Sequence, residues 1–513
     1  MINNWRWPFG PAASQGAPVF GFGPVVINTQ FGATYMTAIS QNAPHVIRRP
    51  QDVVDLVNSH PAKYSGLFIT LVALGGILID AYQAAMIGFG NKYIAAQFGI
   101  SPGLAATVNA SVLVSALIGG LLSNRIINSL GQRKAFVVGM GLCVIGAAAV
   151  AFASSIWQVL ICRIIMGVGL GIDFPLATSA VAELRGASSK KSGTSVNLWQ
   201  MGWYISTTVV YLVLIPLVAW SVSEPELWRW GILLGAGFGV LVMVLRWVFI
   251  GESAMWAARA NRFDLSREIL QTRYGVSADV AADASAGEAA IKKSDGAYGV
   301  LFKGPYGRRT VLGCVVATMQ AWQYNAVGVY LPMTLAGILA GGLSNALWGS
   351  AAVNFLCGVT GGAIGSVVVH KFGARRQSMF GFAMVFIALI ILGTWGKANP
   401  WFSLSLLGSI IFFHSSGPGG LGMTIATLSY PPSLRPAGVG FARAIMRTGA
   451  IAGLIFWPIL WSSLNTDAFY WLAAVPLVGF LTCLFIRWEP IGVNVDAEDA
   501  AALALMSKKE ASL

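Results

Sequence analysis

Charge is what this sequence has least of. Only 10% of its 513 residues are Asp, Glu, Lys or Arg, where a soluble protein carries about a quarter. A chain so poor in charge cannot clothe a water-facing surface of this size. Acids are the scarcer sign, 20 Asp and Glu against 33 Lys and Arg, for a net charge of +13. Cysteine is scarce as well. Cys143, Cys162, Cys314, Cys357 and Cys483 each lie inside an apolar run, with no C-x-x-C spacing and no histidine nearby. That argues against a disulfide framework or a cysteine metal site and leaves small buried hydrophobes. No His/Glu cluster points to a metal, and no nucleophile motif points to an enzyme. No glycine-rich phosphate loop points to an ATP-driven pump, and no cofactor is expected. The first residues hold Trp5 and Trp7 among Gly and Pro. No basic segment leads into an apolar one there, so a cleavable signal peptide is not expected.

Hydrophobic residues make up 56% of the chain, and mean hydropathy is +0.68. Runs of about 20 apolar residues, enough to cross a bilayer, fall at 66–90, 104–126, 134–153, 156–182, 194–220 and 227–250. After a polar stretch come 310–335, 346–369, 377–396, 400–428, 439–462 and 468–488. The pattern predicts an all-α membrane protein of twelve transmembrane helices in two six-helix halves. Residues 1–65 read as a largely disordered cytoplasmic tail, with an amphipathic pattern over 48–58 that suits a membrane surface or a solvated pre-membrane helix. Residues 66–250 are the first half and 251–309 a cytoplasmic loop, flexible over 275–297. Residues 310–488 are the second half and 489–513 a cytoplasmic tail. With the N-terminus inside, outer loops receive only Lys92, Arg229 and Lys397, and Arg163 falls within a helix. Every other Lys and Arg lies on the cytoplasmic side. This bias explains the basic balance without nucleic acid and places both termini in the cytoplasm of a plasma-membrane protein.

The two halves repeat. ILIDAYQAAMIGF (77–89) matches ATMQAWQYNAVGV (317–329), which sets Asp80 on Gln320 and Gln83 on Gln323. NSLGQRK (128–134) matches HKFGARR (370–376), and GTSVNLWQMG (193–202) weakly matches GVGFARAIMR (438–447). Near-equal offsets mark a duplicated six-helix unit, one architecture of secondary transporters with a central site. The stretch 163–186, RIIMGVGLGIDFPLATSAVAELRG, spans a membrane yet carries Arg163 and Asp173. A charge at membrane depth is costly and faces a bundle interior or a cavity. Gly167, Gly169, Gly171 and Pro175 add close packing and a bend. The stretch therefore reads as a tightly packed, cavity-lining helix. Arg163 and Asp173 lie about 1000° apart around the helix, so Arg163 is expected to bond to carbonyls or to another helix.

Several residues suit transport chemistry. Asp80 and Asp173 are buried carboxyls able to hold and release a proton, the behaviour proton coupling needs. Gln83, Asn197, Gln200, Tyr204, Gln320, Gln323 and Tyr324 form amide and aromatic stripes for a small polar solute. Arg443 and Arg447 share a helix face. Arg443 could meet a substrate carboxylate or snorkel to the surface. His414 could titrate or serve as a structural donor.

These residues give the chain a resemblance to the major facilitator superfamily over about 60–490. Gly120, Asn124, Asn128, Ser129, Gly131, Arg133 and Lys134 resemble its loop motif G-x-x-x-G-x-x-x-D-R-x-G-R-K, with the acid replaced. His370, Lys371, Gly373, Arg375 and Arg376 form the second-half copy. Arg163 with Gly167 resembles an R-x-x-x-G signature. ESAMW (252–256) and 434–453 resemble segments of sugar porters and their relatives. Partial matches to D-x-Y-D and G-D-Y-P, at Asp80–Gln83 and Ile172–Pro175, are similar to proton-coupled phosphate and aromatic-acid symporters. The resemblance implies alternating access and gating or structural roles for Arg163, Gly131, Arg133, Lys134, Gly373, Arg375, Arg376 and Arg447. It implies proton-coupled import of a small organic solute, with an organic acid leading. A sugar or polyol porter, a facilitator, an exporter and a non-transporting sensor stand as alternatives. The expected partners are substrate, protons and the lipid bilayer, and the chain is expected to work as a monomer.

Overall fold

The computed structural model describes residues 45–60, 67–185, 192–220, 222–285, 297–339, 342–396, 399–431, 434–493 and 495–498. Spans one to six are Leu67–Phe98, Pro102–Leu130, Gln132–Ala151, Ile156–Arg185, Ser192–Ala219 and Leu227–Phe249. Spans seven to twelve are Gly304–Val327 with Leu331–Ile338, Gly342–Phe372, Ala374–Trp395, Pro400–Ser416 with Pro418–Leu428, Arg435–Leu464 and Ala468–Phe485. Continuous apolar runs become helices because a helix satisfies its own backbone where no water can. Among the described residues, nine stretches are long and apolar enough to cross a membrane, the last covering spans eleven and twelve together. Spans seven and ten fall outside that set: seven breaks at 328–330, and its longer piece carries Gln320, Gln323 and Asn325 and is too polar, whereas ten breaks at Gly417 into two short pieces. Pro332 and Pro418 begin the second pieces, where a residue without an N–H costs nothing. Span eight carries a π-helical turn at Val353–Val359.

The helices pack through small residues. Gly167 and Gly171 of span four sit against the carbonyls of Val112 and Ala116 in span two, and Gly169 sits against Gly139 in span three. The close packing expected of 163–186 is present. Leu121, Ile161, Val248 and Phe485 point outward, as lipid-facing positions do. Trp157, Trp220, Trp401 and Trp471 are exposed at the ends of spans four, five, ten and twelve, where amphipathic rings favour the membrane boundary. The halves meet at the end remote from the inter-half loop. There Gly88 of span one abuts the Val329 carbonyl, and Gly103 of span two abuts the Ile459 side chain of span eleven.

Two expectations about the polar segments differ from what folds. The amphipathic run over 48–58 forms helix Pro50–Ser59, but its Val53, Leu56 and Val57 pack on Ala254, Ala258, Phe263, Leu270 and Tyr274 rather than on lipid. The loop 251–309 supplies helices Ala254–Arg259 and Phe263–Ile269, and strand Ala278–Val280, which pairs with strand His45–Ile47. A six- or seven-residue helix is too short to show a periodic pattern, so the sequence conceals this small cluster. Residues 286–296, part of the stretch read as flexible, lie outside the described residues.

Candidate functional site

A cavity lies between the halves. It forms where spans one, five, seven, ten and eleven face one another. The repeat predicts its two walls, since Asp80 and Gln320, equivalent in the duplication, both line it. Gln83, Gln200, Tyr324, Arg443 and Arg447 line it as well. The rest of the wall is mostly apolar, including Ile77, Leu113, Trp199 and Trp203.

Asp80 is the one acidic residue in that lining. Its carboxylate lies 3.6 Å from an Arg447 guanidinium nitrogen. A tight charge-assisted hydrogen bond runs about 2.7–2.9 Å, so this pair is close yet slack. Arg443, one helical turn earlier, has no carboxylate within 4 Å among the described residues and instead lies over the Phe174 ring. Two guanidinium groups therefore face the cavity with one carboxylate between them.

The aromatic wall is cross-tied. Trp203 Nε1–H donates to the Tyr324 hydroxyl at 2.7 Å, and the Tyr324 ring stacks on His414 at 5.2 Å between centroids. Tyr204 stands behind the lining, its hydroxyl 2.8 Å from His414 Nδ1. Gln83 and Gln323 are fully buried, and neither amide has a hydrogen-bond partner among the described residues. Gln83 reaches the cavity wall, whereas Gln323 does not. The side chain of Asn197 lies outside the described residues.

Asp173 is placed elsewhere. Both its oxygens accept from Arg246 of span six, whose Nε donates to the Val72 carbonyl at 3.1 Å and whose Nη2 donates to that of Ala73. The Arg246 guanidinium also covers the Phe136 ring at 4.3 Å. Gly76 makes the room, because a Cβ there would overlap the Asp173 carboxylate. The pair is sealed inside the N-terminal half, and span four reaches the cavity only through Phe174. Arg163 also departs from expectation. It is fully buried, and none of its three guanidinium nitrogens has a hydrogen-bond partner among the described residues. Arg246 escaped the sequence reading because a basic residue four positions from a span end reads as snorkelling.

The loop motif resolves into a pair of equivalent devices. Gly131 and Gly373 have φ of +86° and +84°, a region that favours glycine. The Glu252 carboxylate accepts from the backbone N–H groups of Gln132 and Arg133. Glu489 does the same for Ala374 at 2.7 Å and Arg375 at 3.0 Å. A Cβ on either glycine would meet the facing carboxylate. Arg133 donates to the Trp247 carbonyl and Arg375 to that of Cys483, both at 2.6 Å. Lys134 and Arg376 point outward. The acid missing from Asn128 is thus answered by Glu252 in ESAMW, a carboxylate set on the positive end of the following helix.

A sequence model of a known family matches residues 68–499: "Sugar (and other) transporter". The chain belongs to that family. A metabolite transport protein of the Escherichia coli inner membrane, YgcS, is 26% identical over 82% of this chain and 91% of its own. The arabinose-proton symporter of Bacillus subtilis is 24% identical over 84% of this chain and 93% of its own. The inward-open structure of the Escherichia coli xylose transporter XylE has a TM-score of 0.67 at 20% identity, covering 84% of this chain and 99% of that one. The fold is the twelve-helix major facilitator fold, and family and fold are those of integral membrane transporters rather than enzymes. The narrower likeness to phosphate and aromatic-acid symporters is not supported. Of the two short motifs that suggested it, one carries Gln83 in place of its second acid. The other holds Asp173, which is occupied by Arg246.

Proposed function

We propose that this protein imports a small organic acid together with a proton by alternating access, from a plasma-membrane position with both termini in the cytoplasm. The observation that carries the reading is the charge count of the cavity: Arg443 and Arg447 against Asp80 alone. An anion 4 Å from an unopposed guanidinium gains about 4 kcal/mol at the effective dielectric of a protein surface. Coupling follows from the slack pair. A proton on Asp80 frees Arg447, so both guanidinium groups can take the substrate carboxylate. Loss of that proton lets Asp80 reclaim Arg447 and weakens the anion's hold. By linkage, proton and anion each raise the other's affinity. The contacts at Gly88–Val329 and Gly103–Ile459 support a carrier closed on its outer side.

A neutral sugar is the second reading. The amides of Gln83, Gln200 and Gln320 in the wall suit hydroxyl groups, and an arabinose-proton symporter is among the relatives. Proteoliposomes with an internal pH dye, given an inward proton gradient, separate the two. Lactate, benzoate, gluconate and D-xylose are offered in turn. Acidification with an acid and not with xylose supports the proposal; acidification with xylose alone replaces it by sugar symport. Tracer accumulation without acidification removes proton coupling. Asp80→Asn should abolish uphill accumulation while leaving counterflow exchange.

A further inference from the structure

From Tyr204, behind the cavity lining, a chain of hydrogen bonds with a direction runs into the wall through His414 and Gln320. The Tyr204 hydroxyl and His414 Nδ1 are 2.8 Å apart. His414 Nε2 and Gln320 Oε1 are 3.1 Å apart. An amide oxygen can only accept, so the imidazole proton sits on Nε2. A neutral imidazole carries one ring proton, so Nδ1 is bare and accepts from Tyr204. Every donor in the series therefore points the same way, from span five through span ten to span seven. The imidazole cannot turn to break the sequence. It is 1% exposed, stacked on Tyr324 at an interplanar angle of 19°, and crossed edge-on by Tyr204. Gly419 keeps the backbone of span ten tight against it, since a Cβ there would lie 2.8 Å from His414 Cε1 and from Gln200 Nε2.

We propose that His414 is a positioning residue that fixes which end of the Gln320 amide faces the cavity. With Oε1 held by His414, the NH2 group is the end that remains. Gln320 then presents a hydrogen-bond donor to the cavity and selects solutes that turn an acceptor oxygen toward it. This donor lies on the C-terminal half, opposite Asp80, so a bound oxygen draws the halves together over the solute. The inference rests on the cavity being the substrate site, as proposed above.

Two measurements test it, and the first needs no substrate. The chain has four histidines, His45, His60, His370 and His414. Protein labelled with nitrogen-15 histidine, compared with His414→Gln, assigns the His414 ring signals by difference. A neutral ring with hydrogen on Nε2 and a hydrogen-bonded bare Nδ1 supports the proposal. Hydrogen on Nδ1, or on both nitrogens, overturns it. The second compares conservative replacements. A Gln side chain places its amide where Nε2 lies and can still donate to Gln320, whereas Asn reaches only the Nδ1 position. For whichever of lactate, benzoate, gluconate or D-xylose the wild type carries, His414→Gln should hold KM within about threefold. His414→Asn should raise KM by about tenfold, with kcat changed less, the size of one lost hydrogen bond in a buried site. Equal effects from both, or better rescue by Asn, would assign His414 to holding Tyr204 and overturn the proposal. If none of the four probes is carried, the cargo reading fails, and the tautomer alone decides this inference.

Discussion

Both oxygens of Asp173 accept from Arg246, and that guanidinium also holds the carbonyls of Val72 and Ala73. Removing one member strands the other at membrane depth. Asp173→Ala should cost about 3–5 kcal/mol, as for other broken buried pairs, whereas Asp173→Ala with Arg246→Met should recover most of the loss. Thermal unfolding in detergent measures both. The same double variant should still couple protons, because Asp80 is the acid in the cavity wall; dye acidification that disappears in it would return Asp173 to the coupling machinery. Sequence alone could not separate these two acids. Each is a lone Asp in an apolar run, and what distinguishes them is the residue opposite, Arg246 or Arg447, which lies 73 or 367 positions away. Tyr204 and Gln320 were legible as polar positions on helical stripes. Their common partner His414 was legible only as a lone histidine, because the hydrogen-bond chain joins three helices that sequence does not set side by side.

At the scale of elements, two equivalent helix starts carry the loop motif. Glu252 and Glu489 each accept from the first N–H groups of the span that follows a positive-φ glycine. Glu252→Gln and Glu489→Gln should each cost roughly 0.5–2 kcal/mol, the value of a helix cap. Gly131→Ala and Gly373→Ala should cost more, because both φ and the space are denied to a Cβ. Unfolding curves of the four variants rank these effects. A related latch joins the C-terminal segment to span seven, where Arg309 donates to Glu498 at 2.8 and 3.0 Å. That hydrogen bonding holds the Glu498 carboxyl below its usual range. A depressed carboxyl stabilises above its unfolded pKa and loses that contribution as pH falls through the folded value. Hydrogen exchange at 495–498 should therefore quicken on acidification below about pH 4, the carboxylate range, and Glu498→Gln should exchange fast at every pH. The glycine motif and the duplication made these paired turns legible in sequence. The acids did not stand out, because each lies more than 110 positions from the helix it caps.

At the scale of the whole molecule, the twelve spans and their duplication were readable because length, hydropathy and repeat offset are properties of the chain itself. Which end of the bundle is shut depends on contacts between halves. Gly103→Cys with Ile459→Cys bridges the spans that meet there. Oxidation should stop transport, and reductant should restore it; transport undisturbed by the cross-link would mean that this end need not open. Charge balance gives a further expectation. The empty cavity holds two guanidinium groups and one carboxylate, and loading adds an anion and a proton together, so the cycle moves no net charge. Accumulation should follow the pH gradient and ignore a clamped membrane potential. The buried amide of Gln83, in the cavity wall and unanswered among the described residues, carries one more consequence. A polar group left without a partner costs about 1–3 kcal/mol, so the substrate-free carrier is held below the stability its fold could reach. A solute that answers this amide lifts the melting temperature of the purified protein in proportion to its binding. Heat alone, applied to an unlabelled solute library, can then sort cargo from bystander before any vesicle is made.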